Sequence, residues 1–152
     1  MKIRDYLRDD RMILDLKARN KKETIKKVFP PLKKAEGIID FDLFLKDIFA
    51  REELKTTGIG KGVAIPHART DAVKDFVMVF ARATEGVEFD SLDGKPVKLI
   101  FLIGTPKKEK LNNHLKILAR LTRLSQETSF RDLLLNAKNK LEILNAIREI
   151  ED

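Results

Sequence analysis

Cysteine and tryptophan are absent from this 152-residue chain, tyrosine occurs once and histidine twice. Without thiols there is no disulfide framework, no thiolate nucleophile and no Cys-ligated zinc, so any chemistry falls to oxygen and imidazole groups. No apolar run reaches the roughly 18 residues a bilayer span requires. The opening residues, MKIRDYLRDDR, alternate charge with single hydrophobics and build no signal-peptide core. A cytoplasmic protein is expected. Hydrophobic residues make up 43% of the chain, enough for one sizeable core, and charged residues 36%, too many for a membrane protein. The net charge of +7 raises the question of acidic partners. The surplus lies in scattered pairs such as Lys21-Lys22, Lys26-Lys27, Lys33-Lys34 and Lys107-Lys108, the pattern of solvated helix and turn faces. With no aromatic RNA-binding motif beside them, no nucleic-acid partner is expected, and a basic nucleic-acid binder stands only as a remote alternative.

Along the chain, Met12 to Leu16 is a short β-prone run. Asn20 with Glu23 three residues later reads as a capping box that opens a helix. Ile25, Val28, Phe29 and Leu32 follow helical spacing, but Pro30-Pro31 must end or kink that helix near Phe29. Asp40 caps a second helix with the stripe Phe41, Phe44, Leu45 and Ile48, ending between Arg51 and Lys55. Phe76 to Ala81 and Val97 to Ile103 have the length and composition of buried strands, separated by the turn signal Leu92-Asp93-Gly94-Lys95-Pro96, and Val87 to Phe89 predicts a short edge strand. Asn112 or Asn113 is expected to cap a helix carrying Leu115, Leu118, Leu121 and Leu124, with His114 in its first turn. Ser129 with Asp132, and Asn139 with Glu142, read as capping boxes of two further helices. The alternation predicts one α/β domain over residues 1–152, a sandwich in which helices flank a single mixed β-sheet.

The most unusual stretch is TTGIGKGVAIPHART, from Thr56 to Thr70. Gly58, Gly60 and Gly62 at alternate positions form a mobile-looking loop, then Val63 to Ile65 make a β-prone run that stops at Pro66-His67. A neutral imidazole is the strong nitrogen nucleophile available near pH 7. His67, beside a rigid proline and a glycine loop, is the leading candidate for such chemistry, although a turn histidine can also serve only to bond the backbone. A metal site on His67 and His114 is not expected, because no spaced ligand motif accompanies them, and no cofactor is called for.

Glu52, then Ile59-Gly60, then Val63-Ala64-Ile65-Pro66-His67-Ala68 satisfy every position of a pattern that resembles the active-site signature of the enzyme IIA domain of the bacterial sugar phosphotransferase system, fructose/mannitol type. Further blocks continue the resemblance over nearly the whole chain: Glu85-Gly86-Val87, Leu92 to Val97, Leu99 to Ile103, and His114 to Leu121. The resemblance implies an enzyme IIA mannitol-like fold and a phosphotransferase that works through a phosphohistidine intermediate. His67 would accept a phosphoryl group from the carrier protein HPr and pass it to an enzyme IIB in fructose- or mannitol-type uptake. By the same resemblance, Arg51 and His114 are catalytic candidates that stabilise the phosphoryl group, with Thr57, Gly58 and Gly60 as weaker candidates for phosphate contacts. The sequence carries no appended enzyme IIB or HPr-like segment, so a stand-alone enzyme IIA is expected, peripheral to the membrane only through an enzyme IIB/IIC complex. The alternative within the same family is a regulator of the nitrogen-related type, signalling through its phosphorylation state.

Overall fold

The computed structural model describes residues 2–151. Its frame is a six-stranded mixed sheet built on two long antiparallel strands, β5 (Val77–Val87) and β6 (Val97–Pro106), paired so that Phe80 faces Phe101 and Val77 faces Gly104. Strand β1 (Met12–Ile13) runs parallel to β5 at one edge. On the other side of β6, β3 (Val63–Ala64) and β4 (His67–Thr70) lie end to end, both parallel to it. β2 (Gly58–Gly60) folds back antiparallel on β3.

Side chains alternate across a strand, and here both faces are covered. Val79, Ala81, Ile100 and Leu102 pack on one face against Ile25 and Val28 of α1 (Lys21–Val28), Phe29 just after it, and Phe44 and Ile48 of α2 (Phe41–Leu54). Met78, Phe80, Leu99, Phe101 and Ile103 pack on the other against α3 (Leu111–Ser125), α4 (Thr128–Asn136) and α5 (Lys140–Glu151), where Phe101 meets Phe130. The unbroken apolar run in β6 is thus explained by two cores sharing one strand. Among the described residues, no helix is long and apolar enough to cross a membrane.

Several local expectations hold. Asn20 and Asp40 accept the Glu23 and Leu43 N–H groups as N-caps, and α1 stops at Val28 with Pro30–Leu32 continuing as a single 3₁₀ turn. Asn139 accepts the Glu142 N–H at the start of α5.

Others are corrected. Lys110, without a side-chain bond, precedes α3, so Asn112 and Asn113 lie inside the helix. Asn113 donates instead to the Glu109 carboxylate. Likewise Glu127 precedes α4, and Ser129 falls in its first turn. Val87 is the end of β5, not the start of a separate strand, because the strand continues past its polar half to meet Val97. The glycine stretch is a hairpin instead of a loop. Gly60 (φ +98°), Lys61 and Gly62 turn the chain in left-handed conformations, and Gly58 packs so closely on Ser91 that a Cβ would fall 2.9 Å from its Cα.

Candidate functional site

His67 opens β4 at the point where the chain leaves β3. Ile65 and Pro66 separate the two strands, and the Pro66 carbonyl accepts the Ile103 N–H, anchoring the connection to β6. This holds His67 half-buried in register with Ile103. Its Nδ1 lies 2.8 Å from the Ile65 carbonyl, which can only accept, so the ring proton sits on Nδ1 and Nε2 carries the lone pair. Burial lowers the pKa of His67 below its ordinary value, and Arg51 pushes the same way. The Ile65 bond and the charge of Glu52 oppose the shift without reversing it. The ring is neutral at pH 7.

His114 lies across from it, with ring centroids 5.5 Å apart and planes at 53°. It projects from the start of α3, is 5% exposed, and places its Nδ1 2.7 Å from the Thr105 hydroxyl. Burial, then the nearby His67, Arg69 and Arg51, depress its pKa to about 4. Two neutral imidazoles therefore share one site.

His67 borders a surface cleft of about 270 Å³ whose walls also include Arg51, Lys55, Leu92 and Leu118, and His114 lies against the His67 ring. Arg51 sits in the last turn of α2, where its Nη1 donates to the Lys55 carbonyl at 2.9 Å. It serves as a helix-terminal cation and also lines the cleft, close enough for its charge to act on both histidines.

Thr57 reaches the cleft wall, but its N–H donates to Glu52 at 2.7 Å and its hydroxyl makes a very short bond to the same carboxylate. The Gly58 N–H turns to the Thr56 hydroxyl. Gly60 lies at the hairpin turn, beside the Asp93 carboxylate. The donors of Thr57 and Gly58 are thus engaged within the protein, and Ile59 is the hairpin residue on the cleft wall. Among the described residues, no group of three or more His, Asp or Glu side chains is arranged to hold a metal ion.

Three contributors were given no role by sequence reasoning. Glu52 stood inside the motif, and the structure shows it buried, receiving Lys21 Nζ at 2.9 Å as well as both Thr57 donors. Arg69, two residues beyond His67 on β4, donates to the Lys107 and Glu109 carbonyls and so holds the loop that launches α3. Period-2 spacing could have placed Arg69 on the face of His67 had β4 been recognised as a strand. Thr105 carried no such signal, since only its register with Arg69 brings it to the site.

The fold and sequence agree with known proteins. The family described as "Phosphoenolpyruvate-dependent sugar phosphotransferase system, EIIA 2" matches residues 5–150. A fructose-specific EIIA component from Haloferax volcanii is 40% identical over 116 residues, 76% of this chain and 75% of that one. A fructose-specific EIIABC component from Bacillus subtilis is 34% identical over 98% of this chain, which spans 23% of that larger protein. In three dimensions, the nitrogen regulatory protein IIA-Ntr of Neisseria meningitidis superposes with a TM-score of 0.88 at 33% identity, over 95% of this chain and 98% of that one. The chain belongs to the EIIA 2 family of the phosphoenolpyruvate-dependent sugar phosphotransferase system.

Proposed function

We propose that the protein is a phosphocarrier in which His67 Nε2 takes a phosphoryl group from phosphohistidine on HPr and yields it to an enzyme IIB. The observation that supports this best is the Nδ1 bond to Ile65, which leaves the Nε2 lone pair of a half-buried ring available at an open cleft. In the transfer, the donor's P–N bond breaks as the bond to Nε2 forms, and the Nδ1 proton stays in place. The ring becomes cationic, which the Ile65 carbonyl and the charge of Glu52 stabilise. In the return step the neutral imidazole leaves with the P–N electron pair. No proton has to move in either direction, so catalysis reduces to alignment and to stabilising the anionic group in flight.

Arg51 supplies forked positive donors at the cleft wall, and His114 a neutral N–H beside it. No carboxylate lines this cleft among the described residues, and the Glu52 carboxylate behind its Thr57 wall is engaged by Thr57 and Lys21. Leu92 and Leu54, 61% and 82% exposed, lie in the turn and at the helix end next to it and offer apolar docking contacts to a protein carrying the phosphoryl group.

Incubation with phosphoenolpyruvate, enzyme I and HPr is expected to add one phosphoryl group by mass, and His67→Ala to abolish the addition. Undiminished labelling of that variant overturns the reading. The match to IIA-Ntr favours a second reading, a regulator whose phosphorylation state other proteins read. Membranes containing enzymes IIB and IIC separate the two. Sugar-dependent loss of the label supports transport, and retention with every sugar supports regulation.

A further inference from the structure

We propose that Thr105 is a positioning residue of this site: its hydroxyl donates to His114 Nδ1 and so fixes the proton of the neutral His114 ring on Nε2. Thr105 is fully buried in β6, opposite Arg69 in the register with β4, and its Oγ1 lies 2.7 Å from His114 Nδ1. Among the described residues its hydroxyl has no other hydrogen-bond partner.

Two arrangements fit that distance. If His114 donated through Nδ1–H, the Thr105 O–H would be left without an acceptor in the interior, where an unmade hydrogen bond is costly. If Thr105 donates, its proton and the Nδ1 lone pair are both satisfied, and the second ring proton goes to Nε2. The second arrangement leaves no buried donor orphaned.

The placement of the helix start that carries the ring is already secured by other means. Arg69 holds the Lys107 and Glu109 carbonyls ahead of α3, and the His114 N–H is bonded to the Lys110 carbonyl within the helix start. What remains for Thr105 is the ring itself, whose orientation and tautomer its hydroxyl sets. The two histidines then carry opposite tautomers: His67 has its proton on Nδ1 and a free Nε2, while His114 accepts at Nδ1 and donates from Nε2. One is equipped as a nucleophile and the other as an uncharged donor. The tautomer assignment stands on the Thr105 geometry together with the neutrality of the ring, and its effect on phosphoryl transfer rests on the phosphocarrier reading above.

Long-range ¹H–¹⁵N correlation spectra of the intact protein at pH 7 test the assignment directly. They are expected to show His114 with an unprotonated Nδ1 and a protonated Nε2, the reverse of His67. A proton on His114 Nδ1 overturns the proposal. In Thr105→Val the His114 signals are expected to report a mixture of tautomers, and single-turnover phosphoryl transfer from His67 to fall by about ten-fold, less than the full loss of a transition-state donor. Thr105→Ser, which keeps the hydroxyl, is expected to restore both. A Val variant with the wild-type tautomer and rate, or a Ser variant no better than Val, counts against the role. If the wild-type protein takes no label at His67, the phosphocarrier reading fails on its own, and the wild-type spectrum still decides the tautomer.

Discussion

His67 and His114 face each other at 5.5 Å with their Nδ1 atoms anchored to different kinds of partner, a backbone carbonyl for His67 and a threonine hydroxyl for His114. A carbonyl only accepts, whereas a hydroxyl can also give, and this difference separates two chemically identical side chains into two functions. Both rings are kept neutral by burial, so the pair avoids the repulsion of two imidazolium ions at this distance.

The neutrality of His67 sets a pH profile. Its folded pKa lies below the free-imidazole value of about 6.5, so the nucleophilic form persists into mildly acid solution. NMR titration is expected to place its midpoint below that of a free histidine. Because Arg51 lowers this pKa and Glu52 raises it, Arg51→Ala is expected to move the midpoint up and Glu52→Gln to move it down. A midpoint at or above the free value in the wild-type protein contradicts the burial argument.

Stability should respond to the same physics at His114. Its pKa is about 4 in the folded state and about 6.5 unfolded, so below pH 6.5 the unfolded chain binds a proton that the folded one refuses. The contribution is complete above pH 6.5 and is lost as pH falls toward 4. Urea midpoints at pH 7 and pH 4.5 are expected to differ by less in His114→Gln than in the wild-type protein. Carboxylates titrate equally in both, so the difference between the two slopes isolates the histidine.

Glu52 ties α2 to the hairpin and to α1 through Thr57 and Lys21. Glu52→Ala leaves the Thr57 N–H and hydroxyl without their acceptor and removes the nearest carboxylate from the Lys21 ammonium, which keeps the Thr56 hydroxyl and the more distant Asp90. The expected cost is about 3 kcal/mol, at the lower end for a broken buried ion pair because Lys21 keeps some contact with water. Lys21→Met keeps both Thr57 donors paired and is expected to cost about half as much. Equal losses from the two variants would show that the Thr57 bonds contribute nothing.

The strands and helices were legible because their patterns are local. β6 could be read from Val97 to Ile103, the start of α1 from Asn20, its end from Pro30, and the start of α2 from Asp40. The hairpin at Gly58 to Ala64 was not, since three glycines look like a loop until Ser91 is known to press against Gly58. At the site, His67, His114 and Arg51 were named from the motif, its resemblance and its spacing. Glu52, Arg69 and Thr105 act through partners 5 to 40 residues away, and a chain read in one dimension carries no mark of such pairings. The caps failed at α3 and α4 as well: Asn112 and Ser129 are suitable residues, but Lys110 and Glu127, two positions earlier, precede the helices.

Gly104 gives the sharpest test of the packing that holds β4 in place. It lies in β6 between Ala68 of β4 and Val77 of β5 in the pairing registers, on the face covered by α2. A Cβ there would fall 2.5 Å from Phe44 Cζ and 2.9 Å from Val77 Cγ2. Both neighbours are fully or almost fully buried, so neither can move into solvent. Gly104→Ala therefore overpacks the core by one methyl group and is expected to cost about 2–3 kcal/mol. Phe44→Leu alone should also destabilise, by opening a cavity. Combined, the two changes are complementary in volume, and the double variant is expected to be more stable than the sum of the single losses allows, a coupling readable in a double-mutant cycle of urea midpoints. Strict additivity would mean that Phe44 does not limit the space above Gly104, and that the approach of α2 to the strand next to His67 is set by other contacts.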